Sequence, residues 1–64
     1  MTQMDRLLTA ADVAALLRKS LPSFYQLRHR GDGPPAVRID GRLRFRPEDV
    51  RRWLEDHVEA GADA

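Results

Sequence analysis

The sequence predicts a small α+β domain that is mostly α-helical, and three observations support this fold class. Apolar residues recur at helical spacing in two short stretches near the N-terminus, with turn residues between them. A third stretch, after residue 47, has a clear amphipathic stripe. Between these helices, two short runs alternate apolar residues with arginine around a glycine-containing turn, which indicates a β-hairpin. We therefore expect two helices, a two-stranded hairpin and a C-terminal helix.

The length of 64 residues fits one domain over residues 1–64, with an ordered core over about residues 7–58 and flexible termini. Because the chain has no cysteine, neither a disulfide bond nor a cysteine zinc site can stabilise it. The two histidines, His29 and His57, are too isolated to suggest a metal site, and we expect no cofactor and no small-molecule ligand. No apolar run approaches the roughly 20 residues of a membrane span, and no secretory signal is present.

Charge is distributed unevenly along the chain, although the net charge is only +1. Residues 28–52 contain eight arginines and four acidic residues, whereas residues 53–64 contain four acidic residues and neither lysine nor arginine. The basic middle predicts a phosphate-binding surface, and the acidic C-terminal part is expected to point away from DNA or toward a partner. The alternative is that these charges form an ordinary solvated surface.

Capping signals set the bounds of the first two helices. Thr9 and Asp12 form a Thr-x-x-Asp capping box, which predicts a helix over about Ala10 to Leu17. Ser20 is the expected N-cap of the second helix, and Gly31 is suited to a left-handed C-terminal cap. A helix with a small, polar first turn and a basic end can enter the major groove of DNA, where base edges carry a readable pattern of donors and acceptors.

The register of the hairpin depends on the length of its loop. A two-residue loop mixes apolar and charged side chains on each face, whereas a three-residue loop over residues 40–42 separates them. We therefore expect the three-residue loop and the following cross-strand pairs: Ile39 with Leu43, Val37 with Phe45, and Arg38 with Arg44. Two arginines in direct opposition repel each other unless an anion lies over them.

The third helix is predicted to begin at Pro47, with acidic residues in its first turn and an apolar stripe that includes Val58. Its apolar face completes a core that we expect to contain Leu8, Val13, Leu17, Phe24, Leu27, Val37, Ile39, Phe45, Val50, Trp53 and Leu54.

The order and spacing of several short motifs resemble the excisionase family of small winged helix-turn-helix proteins. This family includes phage excisionases and AlpA-like regulators and is related to the DNA-binding domain of MerR regulators. The matching motifs are Leu8-Thr9, Val13-Ala14-x-Leu16-Leu17, Ser20 with Phe24-Tyr25-x-Leu27, Arg30-Gly31, Pro35-x-Val37-Arg38-Ile39, Arg44-Phe45 and Asp49-Val50-x-x-Trp53-Leu54. The resemblance implies that the hairpin is the wing and that the second helix recognises DNA.

Three departures from the family pattern affect the expected site. Arg18-Lys19 replaces the usual Gly-Val, so Arg18 is expected to take a positive φ at some cost. Leu21 replaces a residue that is often polar or basic; it either fills the space that the family valine occupies or contacts a thymine methyl group. Gln26 stands where relatives often have arginine, so the DNA sequence that relatives recognise cannot be transferred.

The candidate DNA-binding residues fall into two groups. Those on the recognition helix are Ser20, Pro22, Ser23, Tyr25, Gln26, Arg28 and Arg30, and those on the wing are Arg38, Arg42, Arg44 and Arg46. Arg42, near the tip, is expected to enter the minor groove. Four alternatives remain open: Ser20 is only an N-cap, Tyr25 packs at the core edge, Arg28 lies along the core, or the wing arginines are a solvated face.

The leading functional prediction is a non-enzymatic, sequence-specific protein that binds double-stranded DNA. By resemblance, it acts as an excisionase, or recombination directionality factor, which bends attachment-site DNA and promotes excision by an integrase. Its expected partners are DNA, the integrase and neighbouring copies of itself, and its expected location is the bacterial cytoplasm, associated with the nucleoid. An AlpA- or MerR-like transcriptional regulator is the alternative, and a protein-interaction module is a more distant one.

Overall fold

The computed structural model describes residues 6–59, and the order of its elements confirms the predicted α+β fold. Residues 1–5 and 60–64, where the predicted flexible termini fall, lie outside the described residues. Within the described part, no helix is long and apolar enough to cross a lipid bilayer. The elements are α1 Ala10–Leu16, α2 Leu21–His29, β1 Val37–Ile39, β2 Arg42–Arg44 and α3 Pro47–Asp56.

The first helix begins where the sequence predicts, because Thr9 and Asp12 cap it reciprocally. The Thr9 Oγ1 accepts a hydrogen bond from the Asp12 N–H at 3.0 Å, and the Asp12 carboxylate accepts one from the Thr9 N–H at 2.9 Å. The bond from the Thr9 N–H is the main reason why the pKa of the Asp12 carboxyl is lowered. Just before the cap, Leu8 and Phe45 exchange two main-chain hydrogen bonds of 2.8 Å.

Helices α1 and α2 end in the same way, with a left-handed residue and a hydrogen bond from the following N–H back into the helix. After α1 the left-handed residue is Arg18, at φ 58°, and the next N–H donates to the Ala14 carbonyl at 2.9 Å. After α2 it is Gly31, at φ 82°, and the next N–H donates to the Leu27 carbonyl at 3.1 Å. Glycine adopts this conformation without strain, whereas a residue with a side chain does so at a cost of about 1–2 kcal/mol.

The register of the hairpin differs from the predicted one, because the strands are joined by a two-residue turn rather than a three-residue loop. Both turn residues have a positive φ, 51° at Asp40 and 77° at Gly41. Such turns match the right-handed twist of the strands, so turn geometry outweighs the separation of apolar from charged side chains. The observed pairs are Val37 with Arg44, Arg38 with Leu43 and Ile39 with Arg42.

The observed register places Val37 and Ile39 on the face opposite Leu43 and Phe45, whereas the predicted register put all four on one face. Leu43 packs against the core, and Phe45, two residues later on the same face, is fully buried. Ile39 lies on the opposite face and is 46% exposed, so its predicted place in the core is wrong. This outer face of the hairpin therefore carries an apolar side chain directly beside Arg42.

The core lies where the three helices meet the end of the hairpin. Four of the predicted members are buried: Val13, Phe24, Phe45 and Val50. The rings of Phe24 and Phe45 meet edge to face with their centroids 5.6 Å apart, a favoured aromatic geometry. Ala10 and Ala14 complete the buried cluster. Half-buried side chains pack around it: Leu8, Leu17 and Leu27, which were predicted, and Ala36 and Leu43, which were not.

Helix α3 contributes less to the core than its apolar stripe predicts. Leu54 is 41% exposed, so its predicted place in the core is wrong, and Val58 follows the helix and is 72% exposed. Trp53 is half-buried; its Nε1–H donates to the Asp32 carbonyl at 3.1 Å, and its ring centroid lies 4.4 Å from that of His57. This hydrogen bond from Trp53 therefore links α3 to the loop after α2. A domain of this size has too little interior to cover the whole stripe.

Candidate nucleic-acid interface

Helix α2 presents several predicted recognition residues on its outer face. Phe24 is buried and Leu27 is half-buried, which marks the side of α2 that faces the core. Pro22, Tyr25 and Gln26 are exposed. Because residues four positions apart lie on the same face of a helix, Pro22 and Gln26 are neighbours on the outer surface.

The side chain of Ser20 caps the start of α2. The Ser20 Oγ accepts a hydrogen bond from the Ser23 N–H at 3.2 Å, so Ser20 is the N-cap that the sequence predicts. Pro22 lies in the first turn, where the missing N–H costs no intrahelical hydrogen bond. The Ser20 hydroxyl keeps its own hydrogen, which remains available for donation.

The hairpin arginines differ in how they are held. Arg42 follows the turn directly and is exposed. The Arg38 Nη1 donates to the Gly41 carbonyl at 3.3 Å, which holds this guanidinium near the turn. The half-buried Arg44 donates from Nη1 to the Leu43 carbonyl at 2.8 Å.

A groove of about 460 Å³ lies between α2 and the hairpin, and the start of α1 forms its third side. Its lining contains three arginines and no carboxylate, so its surface is electropositive. Leu21 lines it from the first turn of α2. The groove brings together four of the predicted site residues: Tyr25, Arg38, Arg42 and Arg44.

A second concavity, of about 470 Å³, lies along the outer face of α2. It is lined by Tyr25, Gln26, His29 and Arg30, so Tyr25 borders both hollows. The Arg30 Nε lies 3.4 Å from an Asp32 carboxylate oxygen, but both side chains are about 60% exposed. Since an exposed ion pair of this kind is weak, it leaves Arg30 able to exchange partners.

Two predicted site arginines have stronger partners inside the domain. The Arg28 guanidinium carbon lies 6.0 Å from the centre of the Phe45 ring, in the range of a cation–π contact. Arg46 donates to both carboxylate oxygens of Asp49, at 2.8 and 3.3 Å. These hydrogen bonds lower the pKa of the largely buried Asp49 carboxyl. Arg28 on α2 and Arg46 before α3 therefore both have internal contacts that stabilise the domain.

His29 also belongs to this surface, although it was not among the site residues predicted from the sequence. His29 is exposed and lines the second concavity, three residues after Gln26 and four after Tyr25. That spacing was the available signal, but His29 was considered only as a metal ligand. Within residues 6–59, no group of three His, Asp or Glu side chains gathers closely enough to hold a metal ion.

Comparison with known proteins matches residues 7–58 to the helix-turn-helix domain family. Over 57 residues, the chain is 42% identical to two proteins of Mycobacterium tuberculosis, one from strain CDC 1551 / Oshkosh and one from strain ATCC 25618 / H37Rv. The similar region covers 88% of this chain and 72% of each relative, and both relatives carry the name "Putative DNA-binding protein". No solved structure matches the chain significantly. Since the family match extends from before α1 to the end of α3, the chain belongs to the helix-turn-helix domain family.

Proposed function

We propose that the chain is a sequence-specific DNA-binding protein in which α2 lies in the major groove and the hairpin reaches the adjoining minor groove. The observation that carries this proposal is the electropositive groove between α2 and the hairpin. Membership in the helix-turn-helix family and the names of the two relatives support it.

A protein that enters two adjoining grooves has to straddle the phosphate strand between them. The groove beside α2 suits that strand because Arg38, Arg42 and Arg44 supply guanidinium groups and Tyr25 supplies a hydroxyl. Guanidinium groups form strong, charge-assisted hydrogen bonds to phosphate oxygens. Arg42, beside the turn, extends into the minor groove, where narrow AT-rich segments attract arginine.

Base recognition falls to the outer face of α2. Gln26 is exposed there, and a glutamine side chain can form two hydrogen bonds to an adenine edge. His29 lies one turn further along the same face. Arg30, at the end of the helix, contacts a phosphate and fixes the position of α2 without selecting a base.

Selection of bound duplexes from a random library tests the proposal, followed by fluorescence anisotropy on the selected duplex. Arg42→Ala is expected to weaken binding and to reduce the slope of log affinity against log salt by about 1. Arg51→Ala is the matched control, because Arg51 is exposed on α3 and outside the α2–hairpin groove. Equal losses of DNA-binding affinity in Arg42→Ala and Arg51→Ala would refute the role of the hairpin. A selection that returns no motif would refute sequence-specific binding and favour a protein-interaction module.

The proposed biological role is that of an excisionase, supported by the order of motifs that resemble that family. Binding is then expected to bend attachment-site DNA and to raise the yield of excision by the integrase of the same element. Gel mobility with the site at different positions along a fragment measures the bend, and a two-plasmid assay measures excision. Altered promoter output with unchanged excision would favour the transcriptional regulator instead.

Neighbouring copies on DNA are a further proposed partner. Beside the outer face of the hairpin, Leu7 and Ile39 are 42% and 46% exposed next to Asp40, Arg42 and Arg44. Residues 53–64 complement this face in charge and hydrophobicity, because they contain four acidic residues and the exposed side chains of Leu54 and Val58. Ile39→Ser is expected to reduce cooperative binding to duplexes with two sites, whereas Leu16→Ser, on α1, is not. Equal cooperativity in the wild type and Ile39→Ser would refute this contact and leave an integrase as the partner to test for this face.

A further inference from the structure

We infer that Leu21 recognises the 5-methyl group of a thymine in the major groove. This inference rests on the proposed function and assigns one determinant of its sequence preference. Leu21 is the first residue of α2 and is 38% exposed. It lines the groove between α2 and the hairpin together with Tyr25 and three arginines.

The structure favours this role over filling of the core. The core side of α2 is occupied by Phe24, which is fully buried, and by Leu27, which packs against the buried cluster. The half-buried apolar side chains that surround the cluster are Leu8, Leu17, Leu27, Ala36 and Leu43, and Leu21 is not among them. Leu21 instead lines the groove together with Ala10, Ala11 and Leu43 among polar and basic residues, and 38% of it stays exposed.

A thymine methyl group is an apolar partner that the exposed part of Leu21 can contact. In the major groove, the four bases present hydrogen-bond donors and acceptors, and thymine alone adds a methyl group at C5. When a recognition helix lies in that groove, residues at its N-terminal end contact the base edges. Leu21 holds the first helical position of α2, so its side chain is close to the bases while Tyr25 and the hairpin arginines contact the backbone.

Replacement of single thymines by uracil measures the contribution of the methyl group directly, because uracil keeps every hydrogen-bonding group of thymine. Burial of one methyl or methylene group changes affinity by about fourfold. The probe is the duplex obtained by selection, with each thymine replaced in turn by deoxyuridine. We expect one position at which the wild-type protein loses about fourfold in affinity by fluorescence anisotropy, and we expect Leu21→Ala to be insensitive there.

Leu16→Ala is the matched control, since Leu16 is a 58% exposed leucine on α1 that does not line the groove. It is expected to keep the full response to uracil. A second duplex exchanges the thymine for cytosine or for 5-methylcytosine, and the methylated form should bind the wild-type protein more tightly than the unmethylated form.

The outcomes distinguish this inference from the proposed function. If a motif is selected but no thymine responds to uracil, the role of Leu21 is overturned and sequence-specific DNA binding stands. The same conclusion follows if Leu21→Ala responds as strongly as the wild type. If selection returns no motif, both proposals fail. The absence of any uracil response in the wild-type protein would overturn the inference even if Leu21→Ala does not fold.

Discussion

Replacement of Arg18 by glycine is expected to stabilise the domain, and replacement of Gly31 by alanine is expected to destabilise it by a similar amount. Both residues have a positive φ after a helix, 58° and 82° respectively. The left-handed conformation costs a residue with a side chain about 1–2 kcal/mol, and glycine loses about 0.5–1 kcal/mol more backbone entropy on folding. The net change in the free energy of unfolding is therefore about 0.5–1 kcal/mol in each direction. A side chain at Gly31 would meet no atom within 4 Å, so its cost is conformational rather than steric.

Thermal unfolding followed by circular dichroism measures both changes. In a domain of this size, a change of 1 kcal/mol in the free energy of unfolding shifts the midpoint by about 4–8 °C, so each variant should move the midpoint by about 2–8 °C. Arg18→Ala serves as the control, because it removes the charge of Arg18 but keeps a Cβ in the left-handed region. An increase in midpoint for Arg18→Ala equal to that for Arg18→Gly would refute the conformational explanation, as would an unchanged midpoint for Arg18→Gly.

Three further predictions concern the core, the carboxylates and base recognition. Phe24→Ala removes a fully buried ring and is expected to cost about 3–5 kcal/mol, whereas Leu16→Ala should cost less than about 0.5 kcal/mol; retention of the native midpoint by Phe24→Ala would contradict the core assignment. The carboxyls of Asp12 and Asp49 have pKa values lowered from 3.8 in the folded state, so the stability they provide is present above that pH and lost as the pH falls below it. The thermal unfolding midpoint should therefore decrease as the pH is lowered below about 4, and it should decrease less steeply in Asp49→Asn. Parallel pH profiles of the two proteins would show that Asp49 does not contribute to the pH dependence of stability. Gln26→Ala should relax preference at one base pair by about 1–3 kcal/mol, and an unchanged selected motif would remove Gln26 from base recognition.

The helix bounds were predictable from the sequence because capping signals act locally. Thr9 and Ser20 accept hydrogen bonds from backbone N–H groups in the first turns of their helices, and Gly31 ends α2. All of these contacts lie within about four residues along the chain. The hairpin register was not predictable in the same way, because two local preferences conflict. Separation of apolar from charged side chains favoured a three-residue loop, whereas Asp40-Gly41 favours a two-residue turn with a positive φ at both positions. In a sheet of two short strands with an exposed outer face, the turn decides.

The candidate site was predictable in composition but not in the role of each residue. Helical spacing alone indicates that Gln26 lies on the outer face of α2. The distinction between a solvent-facing arginine and one with an internal partner depends on tertiary contacts that sequence spacing does not specify. Arg28 lies over Phe45, and Arg46 is bound to Asp49. The exposure of Leu54 has a similar cause, since an amphipathic stripe shows which side chains face inward and not how far the core extends.

The main-chain bridge between Leu8 and Phe45 joins the segment before α1 to the segment after β2. Since α1 also packs on α2, the bridge fixes the separation between α2 and the hairpin. In the proposed complex, a duplex whose groove spacing departs from that separation has to twist or bend in order to bind, at a free-energy cost that depends on its sequence. We therefore expect base pairs outside the proposed contacts to influence the affinity through their stiffness.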